Sequence, residues 1–187
     1  MKYFISDHHF GHAAIIRMAS RPFETVWEMN KFMIDAWNSV ITDKDEVYHL
    51  GDIGHKINVN QLNSIMSQLN GKIHLIGGNH DEKYIDKYGK RFTDRFESVQ
   101  DYKYFEYVQD GVIYKFVLFH YPISSWKHRF RGSIHLHGHT HANAIDDTTG
   151  KGIHGHIMNV SVEHLNYKPI SIVEVINKFK NIELKIV

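Results

Sequence analysis

The sequence predicts an α/β fold with a two-sheet core and helices outside it. Three observations lead there. Strand-like and helix-like segments alternate through the first half of the chain. The second half is rich in β-prone segments and weak in helical periodicity. The 187 residues hold no internal repeat, low-complexity run or Pro/Ser-rich linker, which predicts one domain over residues 1–187 with a substantial core.

Residues 2–6 are short, apolar and β-prone. Residues 25–40 read as a helix, since Thr25 and Glu28 have capping-box spacing and Val26, Met29, Phe32, Met33, Ala36, Trp37 and Val40 recur at threes and fours. Trp27 and Trp37 are both expected in the core. Residues 46–50 form a second strand, residues 60–69 a second helix and residues 72–76 a third strand. Such strand–helix–strand units imply parallel pairing with right-handed crossovers. Beyond residue 100, strands at 103–108 and 112–119 flank Asp110-Gly111, a hairpin signal. Further strands are expected at 133–137, 157–162, 170–176 and 182–187, with 177–181 turning the last pair and the pairing mainly antiparallel.

Composition narrows the function. Apolar residues at 42% and charged residues at 23% fit a soluble globular chain. The absence of cysteine excludes disulfides, thiolate zinc sites, iron–sulfur clusters and thiol catalysis. With 22 Lys+Arg against 21 Asp+Glu, the charge argues against a chain-wide basic footprint for duplex nucleic acid and leaves room for a local groove, so a nucleic-acid partner is not favoured. No segment approaches the roughly 18–20 apolar residues of a membrane span, so a cytoplasmic protein with no membrane partner is expected. The feature that needs explaining is the sixteen histidines, which are scattered and so not a tag.

Six of those histidines fall at strand ends. The first strand runs into Asp7-His8-His9, the second into Gly51-Asp52, the third into Gly77-Gly78-Asn79-His80-Asp81. The strand through Phe119 ends in His120, and that at 133–137 runs into Gly138-His139-Thr140-His141. In parallel sheets, ligands gather beyond the carboxyl ends of the strands. Asp, His and Asn are oxygen and nitrogen donors suited to Mn, Fe, Zn, Ni or Co. So many donors exceed the needs of one ion, which points to two metals sharing a carboxylate. Two ions about 3.5–4 Å apart can clamp the attacking and leaving oxygens of a phosphoryl displacement. Gly51, Gly77, Gly78 and Gly138 precede donors where the backbone must turn sharply.

This ordered set, spanning residues 7–141, resembles the calcineurin-like metallophosphoesterases. Asn159-Val160-Ser161-Val162-Glu163 and Pro169-Ile170-Ser171 look like that family's closing strands. The resemblance implies a sandwich of two mixed β-sheets flanked by helices. It assigns Asp7, His9 and His141 to one metal, Asn79, His120 and His139 to a second, and Asp52 to both. His80 would be the catalytic residue beside them, giving a proton or hydrogen bond to the departing oxygen. The implied cofactors are two divalent ions, with manganese expected first, and the implied substrate is a small phosphoester, a phosphodiester more than a monoester. Where the protein-phosphatase branch carries an orienting acid and an Arg, this chain has His55 and Lys56. The closer match is to small bacterial and phage-type members, through Asp7-His8-His9-Phe10-Gly11-His12, Arg21-Pro22-Phe23 and His120-Tyr121-Pro122.

His12, His55 and Arg21 are the candidate substrate contacts. Trp126 could stack a nucleobase. His49, His74, His135 and His137, in strands, are expected to be satisfied core residues or to support the ligands. Two rival readings remain: a non-catalytic metal-binding scaffold of the same fold, and a nuclease acting on single strands.

Overall fold

The structure, a computed structural model, describes residues 1–84, 95–142 and 155–180. Among these, no helix is long and apolar enough to cross a membrane. Two mixed sheets flanked by helices make up the fold. The chain runs β1 (Lys2–Ile5), α1 (Ala13–Met18), α2 (Val26–Asn38), β2 (Glu46–His49), α3 (Val59–Met66), β3 (Lys72–Ile76) and β4 (Phe96–Gln100). It continues through β5 (Tyr102–Gln109), β6 (Val112–Phe119), a 3₁₀ turn at Arg129–Arg131, β7 (Ile134–His137), β8 (His156–Asn159), β9 (Ile170–Ser171) and α4 (Ile172–Phe179).

The first sheet has the order β4-β3-β2-β1-β9, parallel except for β9. The second has the order β5-β6-β7-β8, with β5 antiparallel to β6 and β6, β7 and β8 parallel. Period-2 alternation sorts each strand's side chains between two layers. Phe4, Tyr48 and Ile76 meet Phe116, Leu118, Ile134 and Leu136 between the sheets. Ile5, Val47, Ile73 and Leu75 face the other way, onto Ile15, Met29, Met33, Trp37, Leu62 and Met66 of α1, α2 and α3. Thr25 caps α2 by accepting from the Glu28 N–H, and α3 starts on a capping box of Asn58 and Gln61.

Several expectations need correction. The second half is not mainly antiparallel, because β6, β7 and β8 run the same way. Residues 170–176 are not a strand. Only Ile170–Ser171 pair with β1, and then Ser171 and Glu174 form a capping box that starts α4. Ile172, Val175, Ile176 and Phe179 have helical spacing and pack between the sheets, so periodicity favoured the helix all along. The hairpin expected through 177–181 is therefore absent as far as Lys180, and the strand at 182–187 lies outside the described residues. Trp27 is 71% exposed, whereas Trp37 is fully buried and donates to the Asn70 carbonyl. The regular strand expected over 157–162 ends at Asn159, with an isolated bridge at Ser161. β4 was not anticipated.

Candidate metal centre

Every one of the strand ends β1, β2, β3, β6 and β7 delivers a donor to one place. Asp7, His9 and His141 have ligand atoms within 4.8 Å of one another, as do Asp7, Asp52 and His120, and His9, Asp52 and His80. Asp52 Oδ2 lies 3.4 Å from His9 Nε2, 3.6 Å from His120 Nε2 and 3.9 Å from His80 Nε2. Asn79 Oδ1 is 3.1 Å from His120 Nε2 and 3.0 Å from His139 Nδ1. His141 Nε2 is 3.9 Å from Asp7 Oδ1. The seven candidate donors therefore fall into two groups with Asp52 between them, and the buried His/Asp cluster could hold metal.

The backbone bends to make this possible. Asp7, His9, Asp52, His139 and His141 all have positive φ, between 48° and 70°. Such a conformation is uncommon outside glycine, although Asp and His tolerate it better than most residues, and it concentrates at functional sites. Gly51 precedes Asp52 at φ 93°, and a Cβ there would stand 2.5 Å from His120 Nδ1. Gly138 serves close approach instead: a Cβ would collide with Asp7 Oδ2 and Ser6 Oγ.

The donors are aimed by a further set of contacts. His120 Nδ1 donates to the Leu50 carbonyl at 2.7 Å, which assigns the tautomer that leaves Nε2 free toward Asp52. His141 Nδ1 donates to Glu163 Oε1 at 3.1 Å, the carboxylate–histidine pairing that orients metal-binding imidazoles. Asp7 accepts from the His139 N–H at 3.0 Å and from the Ser161 hydroxyl at 2.9 Å. Asp81, fully buried, accepts from the N–H groups of Asp52, Ile53 and Gly78 at 2.7, 3.0 and 2.8 Å, tying the β2 and β3 ends together. Burial and the adjacent Asp52 charge push the Asp81 carboxyl up to about 7. Burial also pushes Asp52 up, but the His9 and His120 rings and the His80 N–H outweigh it and hold the carboxyl below its usual range. Burial lowers His80 and His139. For His141 burial acts the same way, yet Glu163 and Asp7 prevail and raise it.

The chemistry of the set fits divalent ions of intermediate hardness. Both ring nitrogens of His9 are buried without a hydrogen bond, in a residue 2% exposed. A buried imidazole in that state is costly unless a ligand engages it.

The candidate substrate contacts divide. His12 and His55 do join the centre: ring centroids are 5.4 Å apart for His9–His12, 4.4 Å for His12–His55 and 4.1 Å for His55–His80. Burial lowers His12 and His55 to about 4 each. Arg21 is a correction. Its side chain is fully buried beneath the donors, where Nε and Nη2 donate to Glu163 Oε1 at 2.9 and 2.8 Å. Nη1 and Nη2 also donate to the carbonyls of His8 and Asp7, each at 2.7 Å. It positions the β1 loop and is not placed to touch substrate. Trp126 is likewise 7% exposed and donates to the Ser133 carbonyl, so it offers no stacking face. The supporting residues Ser161 and Glu163 went unassigned in the sequence. The signal is there, because the polar Asn159, Ser161 and Glu163 alternate with the apolar Val160 and Val162.

No family model matches the chain. Uncharacterized protein MJ1445 of Methanocaldococcus jannaschii is 44% identical over 182 residues, covering 95% of this chain and 92% of its own. This chain belongs to the family of that archaeal protein. Gene 66 protein of Mycobacterium phage L5 is 26% identical over 182 residues, 86% of each chain. Among solved structures, the protein of unknown function AQ665 from Aquifex aeolicus superposes with a TM-score of 0.68 at 26% identity, covering 95% of this chain and 98% of its own.

Proposed function

We propose that the chain is a dinuclear, metal-dependent phosphodiesterase of the calcineurin-like type, with manganese as the first candidate metal and small nucleotide-like phosphodiesters as substrates. One observation carries the reading. A single oxygen of Asp52 lies 3.4 Å from His9 Nε2 and 3.6 Å from His120 Nε2, between a group of Asp7, His9 and His141 and a group of Asn79, His120 and His139. That is the placement a shared carboxylate needs.

Divalent ions held there would compensate charge on the phosphoryl oxygens and acidify the attacking water. The side chains do the rest. His80, a third exposed at the rim, has its Nε2 3.9 Å from Asp52 Oδ2 and its backbone N–H on Asp52 Oδ1 at 2.9 Å. Burial lowers its pKa. The ring can present an N–H as a hydrogen-bond donor that stabilises the departing alkoxide. Arg21 and Glu163 hold His141, and Asp81 holds the Asp52 loop against the Asn79 loop, so the donors keep their spacing through turnover.

The test is release of p-nitrophenol from bis-p-nitrophenyl phosphate with Mn²⁺, Ni²⁺, Co²⁺ or Zn²⁺, alongside metal analysis of the folded protein. Turnover and two ions per chain are expected, with Asp52→Asn losing both. No release above blank with any metal refutes the reading, and a folded chain holding one ion or none favours the scaffold.

A further inference from the structure

The end of the centre at Asn79 opens into a cavity of about 600 Å³ that the chemistry above does not use. Its wall includes Gly77, Asn79, Glu82, Asp101, Phe119 and Tyr121. Because Asn79 Oδ1 also sits 3.0–3.1 Å from His139 and His120, the cavity begins where the donor set ends. Any group attached to a phosphate at the donors has this volume within reach, and it is in the range of small-ligand pockets.

Among the described residues, the lining is aromatic and acidic and holds no cation. The Phe119 and Tyr121 rings meet at 5.5 Å, and Tyr121 also stands edge-on to His139 at 4.7 Å and to His120 at 4.9 Å, which holds the phenol in place. The Asp101 carboxylate reaches over Gly77: a Cβ built on Gly77 would lie 3.1 Å from Asp101 Oδ1. Glu82 lines the same cavity. An ionised carboxylate only accepts hydrogen bonds. Two of them beside aromatic rings repel a second phosphate and favour a flat ring bearing N–H donors. The neighbouring hollow, lined by His55, Asn79, His80, Glu82 and Lys83, shares Asn79 and Glu82 with it and adds Lys83 and two imidazoles.

We infer that this cavity is a specificity pocket for an amino-bearing nucleobase, stacked on Phe119 and Tyr121, with its exocyclic amine on Asp101 and Glu82. The inference rests on the phosphodiesterase reading, and names which arm of the diester is recognised and by which residues.

The experiment compares two p-nitrophenyl diesters with the Mn²⁺-loaded protein: the ester of adenosine 5′-monophosphate, and methyl p-nitrophenyl phosphate, which has no ring to place. The readout is the ratio of their kcat/KM values, which cancels differences in active fraction between variants. The adenosine ester should be favoured by about tenfold or more, the worth of one hydrogen bond to a charged group. The corresponding purine riboside ester, which lacks the amine, and the Asp101→Asn variant should each lose most of that preference. Tyr121→Ala should lower it further. Release from the methyl ester with a ratio near one, or a preference untouched by Asp101→Asn, overturns the pocket. Adenosine alone is also titrated into the metal-free protein and followed by NMR. Shifts at Phe119 and Tyr121 are expected, and none overturns the pocket. If neither ester is hydrolysed, the phosphodiesterase reading fails, and the adenosine titration decides the pocket by itself.

Discussion

Replacing Arg21 by methionine keeps much of the side chain's volume and removes its charge and every donor. Four hydrogen bonds to oxygen end with it: two to Glu163 Oε1 at 2.8 and 2.9 Å, and one to each carbonyl of Asp7 and His8 at 2.7 Å. Arg21 is fully buried and Glu163 is 8% exposed, so water cannot replace the guanidinium cheaply. Breaking one side of a buried pair leaves an uncompensated charge and costs about 3–5 kcal/mol. In a chain of this length that corresponds to a fall in Tm of roughly 10 °C. The carbonyls belong to the loop that carries Asp7 and His9, and Glu163 orients His141, so metal affinity should drop about 10–100-fold. Urea unfolding with EDTA at pH 7, followed by tryptophan fluorescence, measures the first quantity. Manganese titration of the folded protein measures the second. The double substitution Arg21→Met/Glu163→Gln removes the stranded charge and should recover about 1–3 kcal/mol relative to Arg21→Met alone. An Arg21→Met cost below about 1 kcal/mol, or a double variant whose cost is the simple sum of the two singles, would refute the reasoning.

Three further outcomes follow from the same structure. Gly138→Ala puts a Cβ against Asp7 Oδ2 and Ser6 Oγ, so manganese binding should weaken by at least about tenfold, measured by calorimetry. His80→Ala should retain both metals and lower kcat about 10²–10⁴-fold, so metal analysis beside kinetics separates it from a ligand loss. Asp45 accepts from the Met1 amine at 2.8 Å and from the Thr42 N–H and hydroxyl at 2.8 and 2.7 Å, and these bonds lower its carboxyl from 3.8 to about 2. A carboxyl depressed in the folded state adds stability that is complete above the unfolded pKa and is lost as pH falls through the folded one. The stability gap between wild type and Asp45→Asn should therefore be widest above pH 4 and close toward pH 2 in acid denaturation. A constant gap would contradict it.

Much of the candidate site is legible in the sequence because its signal is local. A strand followed by Asp-X-His, Gly-Asp or Gly-His-Thr-His announces both the donor and the turn that presents it, so Asp7, His9, Asp52, His139 and His141 could be named from their neighbours alone. Arg21 shows the limit. An arginine in a polar loop reads as an exposed phosphate contact, and nothing near it signals that Glu163, 142 residues away, will bury it. Trp27 and Trp37 make the same point on one helix: both fit the apolar pattern, and only the tertiary packing, which sets Trp37 against the His8 ring and the Asn70 carbonyl, decides that Trp37 is inside. Residues 170–176 differ: the Ser171–Glu174 capping box is visible in the sequence, while the β-branched Ile170, Ile172, Val173 and Val175 favour a strand.

By itself, then, the sequence determined the types of the candidate donors, their order and their attachment to strand ends. The absence of cysteine further restricts any metal to nitrogen and oxygen ligands. These are properties of short segments, set by side-chain chemistry and backbone preference. Tertiary structure decided what depends on distance: that Asp52 stands between two groups of donors, that Arg21 supports the centre from below, that Asp81 ties two loops together, and that an acidic, aromatic cavity opens beside Asn79. Each of those rests on residues far apart in the chain. They meet because parallel strands in two packed sheets deliver their carboxyl ends to the same place.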